Sequence, residues 1–142
     1  MLNRAAANLV AASRAPAATL HDWWSYLLVA AAGGRLLFDD TPVVLYRRHA
    51  ANVVGAPASL LHRGLAAARR GPRVFMNVFR QNIAALADQP ELISAGASQQ
   101  VAAIARDLNG GAMQRWAVLR MRGLTRQTWP ETMLFRLWFI LH

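Results

Sequence analysis

The sequence predicts an α/β unit over residues 1–57 followed by an α-helical region over residues 58–142. Three observations carry that expectation. Two amphipathic stretches near the start have helical spacing and recognisable ends. Two short extended segments then meet at an aspartate- and proline-containing turn, "DDTP". Beyond Gly55-Ala56-Pro57 the texture is helical throughout, interrupted by glycine, proline and polar runs.

The elements follow in order. Residues 3–14 read as a helix stopped by Ala15-Pro16, because the residue before a proline avoids the helical region. Thr19-Leu20-His21-Asp22 fits a capping box of the T-x-x-D kind. The helix it opens, over 20–32, has Leu20, Trp23, Trp24, Leu27, Leu28 and Ala31 on one face, the spacing of an amphipathic helix. Gly33-Gly34 ends it, since glycine accepts the left-handed conformation a C-terminal cap requires. Residues 35–38 and 43–47 are the two predicted strands. On the second, alternation sets Val43, Leu45 and Arg47 against Val44, Tyr46 and Arg48. Further helices are expected near 58–69, 73–87, 98–108, 112–122 and 130–141. Thr128 and Glu131 form a second capping box, with Pro130 in the first turn where it is tolerated.

Composition narrows the function classes. With 55% hydrophobic and 16% charged residues, the chain is not of the disordered, highly charged type. Its longest apolar runs, such as "MLFRLWFILH", fall short of the roughly 20 residues a spanning helix needs. The N-terminal stretch has Asn3, Asn8 and Arg14 where a signal sequence would have an unbroken apolar core. The absence of cysteine excludes disulfides, zinc ribbons and thiol nucleophiles, and fits a cytoplasmic setting. All sixteen basic residues are arginine, and the formal charge is +9. Residues 1–56 hold five arginines against three aspartates, whereas residues 57–142 hold eleven against four acids. Such a basic C-terminal half suits an anionic membrane surface, a nucleic acid or a phosphorylated substrate.

Two constellations stand out, each with a structural and a functional reading. Asp22 in a first helical turn is favoured by the helix dipole with no further role. Beside Trp23 and Trp24, the same carboxylate is also suited to hold or deprotonate a sugar hydroxyl while an indole stacks on the ring. The two indoles point about 100° apart around a helix, so at most one lines a pocket and the other belongs to a core. The second constellation is "YRRH". Arg47, Arg48 and His49 either form a charged strand edge that discourages pairing or face phosphate oxygens, which match the arginine fork. His49 is a candidate metal ligand, but His21, His62 and His142 give it no ligand spacing.

"HDWW" followed by "GGRLLFDDTPVVLYRRHAANVVGA" resembles the C-terminal part of a family 2 glycosyltransferase of the bacterial rhamnosyltransferase-like branch. The likeness covers residues 1–57, and Arg48 stands where the family more often has glutamine. It implies a partial GT-A domain lacking its N-terminal half. The implied reaction is inverting transfer of a sugar such as rhamnose from a nucleotide-diphosphate donor to a polysaccharide or lipid-linked glycan. By the resemblance Asp22 is the catalytic base, and His21, Trp23 and Trp24 bind the acceptor. Arg47, Arg48 and His49 bind the diphosphate, His49 touches a divalent Mg or Mn, and Asn52 orders the loop over the site. The implied place is the cytoplasmic side of the cell membrane. The sequence has no D-x-D, the motif that holds the metal in such enzymes, so the chain alone is expected to be inactive.

Two other classes compete. Residues 112–126 mix four arginines with Met113, Trp116, Leu119 and Met121, the texture of a non-catalytic module on a membrane surface. Nucleic-acid binding is disfavoured, because the arginines are spread over several helices instead of clustering on one.

Overall fold

The structure, a computed structural model, describes residues 1–37, 41, 60–120, 124, 125 and 128–141, with the side chains of the third helix from Pro72 onward. Its elements are α1 (Arg4–Ala12), α2 (His21–Ala31), α3 (Leu60–Ala87), a 3-10 turn at Pro90–Leu92, α4 (Ala95–Leu108), α5 (Ala112–Leu119) and α6 (Trp129–Leu141). Among the described residues there is no strand, which overturns the expected α/β, partial GT-A class. The predicted first strand is non-strand backbone over residues 35–37, and Leu37 is exposed. A lone two-stranded ribbon is marginal in water without a sheet or helix to cover its apolar face. Its predicted partner at 43–47 lies outside the described residues.

One apolar core joins the helices. Trp24 and Leu28 of α2 meet Met76, Ile83 and Leu86 of α3, Val101, Ile104 and Leu108 of α4, Val118 and Leu119 of α5, and Phe135 and Phe139 of α6. The i, i+3, i+4 spacing within the α2, α4 and α6 sets is the stripe that an amphipathic helix turns inward. An aromatic clasp ties α6 back to α3. Phe75 and Phe79 pack edge-on against Phe135 at centroid distances of 6.0 and 5.8 Å, and Phe79 meets Phe139 at 5.8 Å. Trp138 tilts over Phe75 at 5.7 Å. Edge-to-face pairs add about 0.5–1.5 kcal/mol each beyond the area they bury.

Local chemistry sets the helix ends. Asn3 caps α1, its side-chain oxygen accepting from Ala6 N–H at 2.9 Å. The end of α2 is a Schellman motif: Gly34 N–H donates to Val29 C=O at 2.8 Å and Gly33 N–H to Ala30 C=O at 3.0 Å. Gly33 has φ +82°, and a Cβ on Gly34 would lie 2.6 Å from Val29 Cγ1, so both positions favour glycine. Ser94 caps α4 three residues earlier than periodicity predicts, and its own N–H donates to Ala31 C=O, tying α4 to the end of α2. Thr128 accepts from Glu131 N–H at the start of α6, as its side of a capping box requires.

Two expectations fail here. The helices foreseen at 58–69 and 73–87 are a single α3, which runs through Pro72. An interior proline deletes one backbone hydrogen bond and costs about 3 kcal/mol, but local propensity is a weak prior beside the packing of Phe75, Met76, Phe79, Ile83 and Leu86. The capping box at Thr19 does not form. Leu20 is the N-cap of α2, and the Thr19 hydroxyl instead donates to Asn82 Oδ1 on α3 at 3.0 Å.

Gln89, only 3% exposed, locks the α1–α2 connection onto the end of α3. Its Oε1 accepts from Arg14 N–H at 2.7 Å, and its Nε2 donates to Arg14 C=O at 3.1 Å and Ala85 C=O at 2.8 Å. Replacement by alanine strips three partners at once. We expect Gln89→Ala to cost about 2 kcal/mol, read as a lower urea midpoint at unchanged slope. Gln89→Glu should not restore it, because a carboxylate cannot donate to the two carbonyls.

Candidate functional site at the start of α2

The first turn of α2 is built by division of labour between neighbouring side chains. Leu20 has no side-chain acceptor, so the cap position leaves the first-turn amides without a partner from it. Asp22 fills part of that need, its Oδ1 accepting from Trp23 N–H at 2.9 Å. Trp24 turns inward to 1% exposure, and its indole N–H donates to Ser13 Oγ at 2.8 Å. Ser13 Oγ in turn donates to Val10 C=O at 2.7 Å, which closes the end of α1 against α2. The buried indole therefore pins the turn, and its hydrogen bond removes the cost of burying a polar N–H.

The neighbouring indole has the opposite fate. Trp23 is 61% exposed, and His21 and Asp22 are exposed beside it. The 100° step of a helix is what separates the two tryptophans. One turn on, Tyr26 is 50% exposed at i+3 from Trp23 and i+4 from Asp22. Tyr26 escaped the motif-based reading, although its spacing from Asp22 was there to be seen. The result is an open strip of carboxylate, indole and phenol on a rigidly anchored turn.

Of the predicted site residues, the structure brings together His21, Asp22 and Trp23 at the surface and places Trp24 in the core, away from any bound acceptor. Arg47, Arg48, His49 and Asn52 lie outside the described residues. Asp22 stands on an open helix start, and a groove between α3 and α4 around Arg80, Ile83, Ala105 and Asn109 is lined by none of the predicted residues. Among the described residues no three His, Cys, Asp or Glu side chains converge as a metal site would require. The divalent ion implied by the resemblance finds no ligand set among the described residues, and His49 lies outside them. No helix among the described residues is long and apolar enough to cross a membrane.

Comparison with known proteins leaves the class at that level: an α-helical chain with a basic C-terminal half and an exposed carboxylate–aromatic turn. No family model, curated protein or solved structure matches it.

Proposed function

We propose that the start of α2 is the acceptor-facing part of a sugar-transferring enzyme, working with a nucleotide-binding region supplied from outside residues 1–142. The observation that carries this is the pairing of exposed Asp22 and Trp23 on a turn fixed by buried Trp24. An exposed indole offers a flat apolar face to the C–H side of a sugar ring. The adjacent carboxylate then accepts the proton of an acceptor hydroxyl as that oxygen attacks the anomeric carbon and the nucleotide diphosphate departs. The order of "HDWW", "YRRH" and Asn52 in the sequence supports the same reading. Positioned base catalysis is worth about 10²–10⁴-fold, and only within an assembled site.

Two results test it. Saturation-transfer NMR of the chain with rhamnose-bearing oligosaccharides should show contact that is lost in Trp23→Ala and weakened in Asp22→Asn, with unchanged circular dichroism. Contact indifferent to both substitutions sinks the assignment. Incubated with nucleotide-activated rhamnose, Mg or Mn and a lipid-linked acceptor, the chain alone should show no turnover above background. The departing diphosphate has no D-x-D carboxylates here to organise its counter-charge. Robust turnover abolished by Asp22→Asn would support the base and refute the need for another region.

A further inference from the structure

We infer that the outer face of the α5–α6 hairpin is a contact surface for anionic lipid bilayers, a property separate from the site on α2. Arg115 Nη1 reaches Ile140 C=O at 3.4 Å, which sets the start of α5 beside the end of α6. With Val118 and Leu119 turned into the core, α5 leaves Met113 exposed at 87% and Trp116 at 53%. Arg120 stacks over the Trp116 ring, 5.1 Å from its centroid. On α6, Leu137 and Leu141 are exposed one turn apart, while Phe135 and Phe139 are buried.

The bilayer is favoured by the kind of side chains and by charge. Residues 108–130 contain four arginines and no acid, so the segment repels cations and attracts an anionic surface. Large apolar side chains next to an arginine match the headgroup–acyl boundary, where an indole lies with its ring among the chains and the guanidinium meets lipid phosphate. A nucleic-acid backbone gains nothing from exposed aliphatic side chains such as Met113, Leu137 and Leu141, whereas the acyl boundary of a bilayer does. The long apolar run of α6 does not itself insert, because the aromatic clasp uses Phe135, Trp138 and Phe139 within the fold.

Co-sedimentation of the full chain with phosphatidylglycerol vesicles at low salt should show attachment that fades at high salt and is absent on phosphatidylcholine. Arg120→Glu reverses one charge, a change of two units at about 1 kcal/mol each, and should weaken attachment roughly 30-fold. Trp116→Ala should weaken it several-fold. Arg106→Glu makes the same charge change on α4, where Arg106 is exposed and paired with Asp107 at 3.2 Å, and should change it much less. Circular dichroism of all three should match the parent chain. Failure to sediment at low salt overturns the inference. So does an equal loss in Arg106→Glu, which would make attachment a matter of net charge, or retention of single-stranded RNA in preference to vesicles.

Discussion

Phe139→Ala should remove most or all of the folded population. Phe139 is fully buried, and its ring meets Phe79 at 5.8 Å and Phe135 at 5.7 Å. Truncating a buried phenylalanine costs about 3–5 kcal/mol from lost burial and the cavity left behind. Domains of this size are stable by only about 5–15 kcal/mol, so that loss is a large share of the whole. Both aromatic contacts vanish together, and the last turns of α6 lose their anchor on α3. The measurement is a thermal or urea transition followed by circular dichroism, with Leu137→Ala as the partner variant. Leu137 lies two residues away but is 52% exposed, so its removal should shift the midpoint by less than about 0.5 kcal/mol. Equal effects at the two positions would mean that α6 is not seated on α3. The result also separates two uses of "MLFRLWFILH": a segment the fold needs, or an apolar tail free to enter a bilayer.

The helices were legible because a 3.6-residue apolar period survives in the sequence. Their ends were legible where the chemistry is local, as with Gly33-Gly34, whose Schellman bonds need only the backbone of α2. Reading failed where a distant partner decided the outcome. Thr19 looks like a cap, but Asn82, sixty-three residues away, takes its hydroxyl. Pro72 looks like a break, yet α3 runs through it, and the helix is seated by core contacts of Phe75 to Leu86 with residues far away in the sequence. The strand reading failed for a related reason. The segment at 35–38 is too short to specify a strand by itself, and a sheet exists only where other strands can pair with it. At the candidate site, the sequence implied that at most one tryptophan lines a pocket. Which one turns inward depends on Ser13 of the α1 terminus and on the α3 face, and neither is visible from α2 alone.

That split between adjacent indoles gives the sharpest test of the site, because the two substitutions should fail in opposite ways. Trp24→Ala should cost about 3–5 kcal/mol, the usual loss for a buried tryptophan, and leave Ser13 without its indole partner. Since Trp24 joins α2 to α1 and to the common core, its loss should free the α1–α2 pair from α3 and blur the site with it. Hydrogen exchange would then rise first in residues 4–31. Trp24→Phe should recover much of the packing but not the hydrogen bond, and land between the two. Trp23→Ala removes an indole already 61% exposed, so stability should move by less than about 0.5 kcal/mol. Binding of a rhamnose-bearing oligosaccharide should nevertheless disappear, because the stacking face is gone while Asp22 keeps its place. A destabilising Trp23→Ala would make that residue part of the core. A Trp23→Ala chain that is stable and still binds glycan would leave Asp22 as a plain helix-start carboxylate, and the sugar-transfer reading would lose its structural footing.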